Sequence, residues 1–151
     1  MIFGNFDFEL EFRGKHGYCS YMTKFAVGAD VTSQDLVYLP SGERALVGTG
    51  VFIKYFRFLN PNEPLLLLPE FQIRPRSGLS KKGIDVSLGT VDGDYIGHEI
   101  KACIVNNSNQ DFNINYGDRI GQLVCALTLN MSPMITRHNE ERTGGFGSTG
   151  K

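Results

Sequence analysis

The stretch GTVDGDYIG sets a carboxylate, Asp92, three residues before a tyrosine, Tyr95, within glycine-rich sequence. A carboxylate beside a tyrosine at a tight turn can take a proton from water beneath a stacked sugar. The dipeptide Asp92–Gly93 alone reads more plainly as a type I′ hairpin turn. In RPRSGLSKKG, the Arg76 guanidinium can grip a phosphate through two hydrogen bonds, and Ser77 and Gly78 open a short helix whose free N–H groups favour an anion. The plainer alternative is a surface turn capped by Ser77 and ended by Gly83. In VGADVTSQDL, Asp30 lies in a small-residue strand and can orient a metal-bound water; a strand-end turn is the alternative. In GDRIGQLV, Gly117 and Asp118 read as a turn, and Gln122 points the same way as Ile120 and Val124. A polar side chain on a mostly apolar face needs a partner.

The final stretch, GGFGSTGK, contains from Gly145 to Lys151 the pattern glycine, four residues, glycine, lysine. A phosphate-binding P-loop needs a strand before it and a helix after it. HNEERT, which precedes it, is polar and not strand-like, and neither the helix nor the magnesium-holding Ser/Thr is in the sequence. The stretch therefore reads as a mobile glycine tail. It still carries Arg142, Phe146, Ser148 and Thr149 close together, groups able to clamp a phosphate and cover a base.

Positioning these groups is a task for strands. RALVGTGVFIKYF, GIDVSLGTV, YIGHEIKACIV and RIGQLVCALTL are rich in β-branched and aromatic residues and partly alternate apolar with polar. Turn signals fall between them, at LPSGE, LNPNEP, VDGD, NNSNQD and NYGD, a spacing suited to a sandwich or barrel. One short helical turn is expected in SGLSKKG, and LLLLP at 65–69 reads as a buried strand between prolines. The chain of 151 residues fits one domain. Its 15 Lys+Arg nearly balance 16 Asp+Glu, so no broad basic field marks a nucleic-acid binder and phosphate recognition must be local. The three cysteines, Cys19, Cys103 and Cys125, lie far apart and read as reduced, buried thiols. No apolar run approaches membrane-spanning length, and the N-terminus has no cleavage-site pattern, so a soluble, cytoplasmic protein is expected.

In order and spacing, these stretches resemble the five motifs of the homotrimeric dUTPase family, the deoxyuridine triphosphate nucleotidohydrolases, from about residue 26 to 151. VGADV resembles the first motif, PRSGLSKKGI the second, GTVDGDYIG the third, GDRIGQLV the fourth and RTGGFGSTG the fifth. The resemblance implies an all-β fold, a jelly-roll-like β barrel with one short helix and a mobile glycine-rich C-terminal tail. It divides the chain into a barrel domain over 1–131 and an arm over 132–151. It implies hydrolysis of dUTP to dUMP and pyrophosphate with Mg2+, Asp92 activating the water that attacks the α-phosphorus and Tyr95 lying under the deoxyribose. Main-chain groups around Gly89 would read the uracil edge. Arg76, Ser77, Gly78 and Gln122 match phosphate-binding positions, and Asp30 matches the acid that orients water on Mg2+. On the tail, Phe146 would stack over the uracil, with Arg142, Gly147, Ser148 and Thr149 at the γ-phosphate end. The partners implied are dUTP and two further copies of the chain, with sites between subunits, and neither nucleic acid nor membrane. The source could be a phage or virus.

Two departures stand out: Ala29 where many members carry tyrosine, and Thr143 where glycine is common. Residues 1–25 have no assigned counterpart and are expected to form an extra strand or a subunit contact. The deoxycytidine triphosphate deaminase branch of the same fold places a glutamate seven residues past the aromatic of the third motif. Here that count reaches Ala102, so the deaminating acid is missing. A non-catalytic binding protein retaining the fold is the other alternative.

Overall fold

The computed structural model describes residues 2–3, 5–60, 62–63, 66–87 and 89–131. Strands dominate: β1 (Ile2–Phe3), β2 (Phe6–Phe12), β3 (Cys19–Ser20), β4 (Ala29–Thr32), β5 (Val37–Leu39), β6 (Arg44–Phe58) and β7 (Leu67–Arg74) precede the short helix α1 (Ser77–Ser80). After it come β8 (Ile84–Ser87), β9 (Val91–Asp92), β10 (Glu99–Asn106), β11 (Phe112–Ile114) and β12 (Arg119–Leu129).

The strands build one five-stranded sheet in the order β1-β2-β6-β10-β8, a second in the order β3-β4-β12-β7-β9, and a two-stranded ribbon β11-β5. The architecture is all-β and jelly-roll-like, as expected. The described strands form this layered pair of sheets rather than one continuous closed barrel, the double-sheet solution that a jelly roll uses to limit exposed edges.

The period-two pattern is plain in β7, where Pro69, Phe71 and Ile73 are buried and the residues between them are not. Phe71, Ile53, Ile100 and Val47 are completely buried between the layers. Each such side chain contributes about 1.5–3 kcal/mol by leaving water. Among the described residues no helix is long and apolar enough to cross a membrane.

Several local expectations need correction. The strand expected in 65–69 is present from Leu67, where β7 begins, but its start is not buried: Leu66 and Leu67 are 70% and 43% exposed in the single chain, and Pro69 is the first buried residue of β7. Leucines alone mark a stretch that wants cover and cannot say whether the same chain supplies it. The helix N-cap is Arg76, extended at φ −96° and ψ 133° with no side-chain cap hydrogen bond, and Ser77 is already helical. Gly83 does end the turn, at φ +77°.

Asp92–Gly93 is not a type I′ hairpin. Tyr95 N–H donates to the Asp92 carbonyl at 3.1 Å, closing a turn, but Gly93 is not left-handed. The strand after the turn, β10, pairs with β6 and β8, while β9 pairs with β7, so no two-residue hairpin exists there. The thiols are not fully buried either: Cys19 and Cys103 are half-buried and Cys125 is exposed. Burial still pushes the Cys19 thiol above its ordinary value.

Within the unassigned residues 1–25, β1 and β2 are an extra pair of strands, and β3 pairs with β4. β1 and β2 form an antiparallel hairpin, and β2 pairs with the distal half of β6, from Phe6↔Phe58 to Phe12↔Val51. Asp7, 4% exposed, accepts hydrogen bonds from Arg57 Nη2 at 2.8 Å and from Tyr55 Oη at 3.3 Å, fixing the hairpin to β6.

Candidate functional site

Asp30 is the centre of a charged cluster at one end of the second sheet. It lies inside β4 rather than at a strand-end turn, and is only 5% exposed. A buried carboxylate needs partners, and two arginines supply them. Arg119 Nη1 donates to Asp30 Oδ2 at 3.3 Å. Arg76 Nε stands 3.3 Å from Asp30 Oδ1, close enough for an ion pair but without hydrogen-bond geometry. The Nε atom is thus buried and short of a hydrogen-bond acceptor, which suits a guanidinium poised for an incoming anion.

Gln122 joins this cluster through strand register. On β12 it lies opposite Asp30 of β4 on one side and Arg74 of β7 on the other. Its flank is packed against Gly28, where an added Cβ would stand 2.8 Å from Gln122 Oε1 and 2.9 Å from Gln122 Cβ. That contact explains the glycine just before Ala29: any side chain would push the amide off its position. Ala29 itself is 6% exposed and faces the core without a polar group.

Ser77 and Gly78 form the first turn of α1 directly after Arg76, and a Cβ on Gly78 would meet nothing within 4 Å. The open space leaves backbone N–H groups of that turn approachable. Beneath α1 lies a cavity of about 180 Å³ with Leu79, Ile104 and Ile114 in its wall and Arg76 and Arg119 at its polar side. The apolar wall excludes water from one side of the arginines, and Asp118 joins them at the polar side.

The carboxylate turn is elsewhere. Asp92 is exposed at the end of β9, opposite Glu70 of β7. Tyr95 is 7% exposed, with its ring centroid 5.0 Å from that of His98. Gly89 is exposed and a Cβ there would meet nothing within 4 Å. Along β7, Glu70 marks the Asp92 end and Arg74 the Gln122 end. Four strand residues at roughly 3.3 Å each offset the two groups by about 13 Å along β7, and β9 and β12 lie on opposite sides of that strand, which sets them further apart.

A single chain therefore brings Asp30, Arg76 and Gln122 together, sets Ser77 and Gly78 beside them, and leaves Asp92, Tyr95 and Gly89 apart. Arg142, Phe146, Gly147, Ser148 and Thr149 lie outside the described residues. Sequence reasoning missed Arg119, the second arginine on Asp30; its place just after the Gly117–Asp118 turn, at the start of a strand that carries Gln122, was the available signal. It also missed Glu70, whose carboxylate accepts from Thr90 Oγ1 at 3.2 Å and Gln72 Nε2 at 3.0 Å.

Among the described residues no group of three or more His, Cys, Asp or Glu side chains is arranged to hold a metal ion directly. The donor set suits a hard cation held mainly by a ligand's oxygens and by water. A carboxylate has about four lone-pair sites, so two arginine contacts leave Asp30 capacity to accept from a metal-bound water.

The dUTPase family model matches residues 16–150. The chain is 41% identical over 139 residues to the deoxyuridine 5'-triphosphate nucleotidohydrolase of Nautilia profundicola, covering 87% of this chain and 89% of that one. It is 38% identical over 129 residues to the enzyme of the same name from Paramecium bursaria Chlorella virus 1, covering 83% and 84%. Among solved structures, a dUTPase from phage phi11 of S. aureus superposes with a TM-score of 0.66 at 19% identity, over 91% of this chain and 99% of that one. A mutant of the phi11 enzyme, reported for its coordination of a structural Mg(II) ion, gives a TM-score of 0.65 at 20% identity, over 89% of this chain and 97% of that one. With a family match running from just after the N-terminal hairpin almost to the last residue, and relatives near 40% identity over most of the chain, this protein belongs to the dUTPase family.

Proposed function

We propose that this chain hydrolyses dUTP to dUMP and pyrophosphate at sites built between the subunits of a homotrimer. The observation that carries the reading is the division of the site residues. Arg76, Gln122 and Asp30 gather toward one end of β7 while Asp92 lies toward the other, offset by about 13 Å along that strand and on its opposite side. A triphosphate on the arginine cluster of one subunit then meets Asp92 and Tyr95 of a neighbour. Exposed apolar side chains support association: Phe25, Leu66 and Leu129 are 85%, 70% and 76% exposed in the single chain.

In this reading Arg76 and Gln122, with the backbone of Ser77 and Gly78, bind and orient the phosphates. Asp92 accepts the proton of the water that attacks the α-phosphorus, and pyrophosphate leaves. Tyr95, packed beside His98, supports the deoxyribose face, and backbone around Gly89 reads the uracil edge. Mg2+, when bound, offsets the charge of the triphosphate, and Asp30 would hold it through water. Residues 1–131 form the folded domain, and 132–151 act as an arm that brings Phe146 over the base and Arg142, Gly147, Ser148 and Thr149 to the γ-phosphate.

The test is pyrophosphate release from dUTP with dCTP, dTTP and UTP as controls. Release from dUTP alone is expected. No release would remove the hydrolase reading in favour of a non-catalytic binding protein, and ammonia from dCTP would establish a deaminase. Against the latter, position 102 is a fully buried alanine on β10 with no acid to offer.

A further inference from the structure

The geometry points to the N-terminal hairpin β1–β2 as a positioning element for Asp92, acting through two aromatic contacts that reach the residues on either side of it. The inference rests on Asp92 being the base, as proposed above. The hairpin precedes residue 16, where the family match begins. What it does for this protein must therefore be read from its own contacts.

The distal half of β6 is the common support. β10 pairs with β6 only as far as Phe52. Beyond it, β2 occupies one edge of β6, through Phe8↔Phe56 and Phe6↔Phe58. On the other side the segment after Asp92 is attached: Ile96 bridges Ile53, and Gly97 N–H donates to the Ile53 carbonyl at 3.3 Å. Hairpin and catalytic turn thus share one short stretch of strand.

Two side-chain routes then converge on Asp92. Phe6, 3% exposed, packs against Phe56 with ring centroids 5.8 Å apart. The Phe56 ring in turn lies flush on Gly93, where an added Cβ would come within 3.0–3.1 Å of three of its ring carbons. Phe8, 6% exposed, meets Phe71 edge-on at 5.2 Å. Phe71 is fully buried and lies opposite Val91 across β7 and β9. Gly93 and Val91 are the two neighbours of Asp92.

Close-packed aromatic rings leave little room for movement, so a void under either ring lets the turn drift. A carboxylate displaced by about 1 Å can cost roughly a hundredfold in rate. Phe6 meets Phe56 and Phe8 meets Phe71, at the Asp92 end of β7 and not its Arg74 end, so their effect should fall mainly on the chemical step.

The experiment uses the full chain with Phe6→Ala, Phe8→Ala and the milder Phe6→Leu and Phe8→Leu, assayed well below their melting temperatures. We expect kcat for dUTP to fall about tenfold or more in the alanine variants with KM within about twofold, and the leucine variants to recover most of the loss. In parallel, amide hydrogen exchange should accelerate at Tyr95, whose N–H closes the turn, and remain unchanged in the β8–β10 pairing around Ile104. If the alanine variants fail to fold, hydrogen exchange in the leucine variants carries the test: exchange at Tyr95 should still exceed that of wild type while the pairing around Ile104 is unchanged, and equal exchange at Tyr95 overturns the proposal. Unchanged kcat, or loss explained by unfolded protein with kcat and exchange changing uniformly, overturns the proposal. A wild-type chain inactive on dUTP would sink the hydrolase reading instead, and the exchange measurement would still report whether the hairpin holds the turn.

Discussion

Arg76 and Asp30 stand together at one end of the second sheet, Nε 3.3 Å from Oδ1, and Arg119 Nη1 holds the other carboxylate oxygen at the same distance. One buried carboxylate thus aims two guanidinium groups drawn from two different elements.

Replacing Asp30 by Asn leaves these arginines facing each other without a counter-charge. Since Arg76 and Arg119 are 23% and 44% exposed at the side chain, solvent screens part of the loss. Stability should drop by about 1–3 kcal/mol, read from urea denaturation. The Mg2+ concentration for half-maximal activity should also rise. A variant as stable as wild type would mean that the pairing contributes nothing to the fold.

Asp92→Asn keeps the shape of the side chain and removes its capacity to take a proton. Turnover of dUTP should fall about 10²–10⁴-fold while a non-hydrolysable dUTP analogue binds almost as before. Substantial residual turnover would place water activation on another group.

Removing residues 142–151 takes away Arg142, Phe146, Gly147, Ser148 and Thr149 together. The shortened chain should elute as the same oligomer as the full chain in gel filtration and lose nearly all hydrolysis. Normal turnover by the truncated protein would show that the arm is not needed to close the site.

Tyr38 and Asp111 clasp the ribbon of β5 and β11: the phenol donates to Asp111 Oδ2, and Ser41 N–H donates to Oδ1 at 3.1 Å. The Tyr38 hydrogen bond, followed by that of Ser41, holds the Asp111 carboxyl below its usual value. The same bond pushes the phenol of Tyr38 up. A lowered carboxylate stabilises above about pH 4 and loses its contribution as pH falls through the folded value. A raised phenol stabilises below about pH 10 and loses its contribution as pH rises through its folded value. Melting temperatures of wild type and Tyr38→Phe should therefore differ by a constant small amount from pH 5 to 9 and converge at both extremes. A difference that keeps growing into acid would contradict the clasp.

Much of the fold was legible because its signals are local. The β-branched, partly alternating run RIGQLVCALTL and the turn residues of NYGD report a strand and a turn wherever they occur, since pleat and turn chemistry depend on a few neighbouring residues. The same locality misled at Asp92–Gly93. The dipeptide favours a two-residue hairpin, but β8 and β10 pair with each other around it, and β9 is drawn to β7. Ser77 failed as a cap for a similar reason: Arg76 is held extended by its place after β7 and next to Asp30, which moves the helix start by one residue.

What the sequence by itself determined is the chemical inventory and its order: a strand-rich chain, arginine and small residues fit for phosphate, a carboxylate near a tyrosine fit for base and sugar. Side-chain chemistry is a property of each residue, so it can be read without coordinates. Only the tertiary structure decided which groups share a space. Arg119 reaches Asp30 across 89 residues of chain. Gln122 faces both Asp30 and Arg74 because β12 is a central strand. Asp92 ends up at the opposite end of β7, backed by phenylalanines from the N-terminal hairpin. Such neighbours follow from register between distant strands, and register is set by the packing of the whole core, with no local residue pattern to announce it.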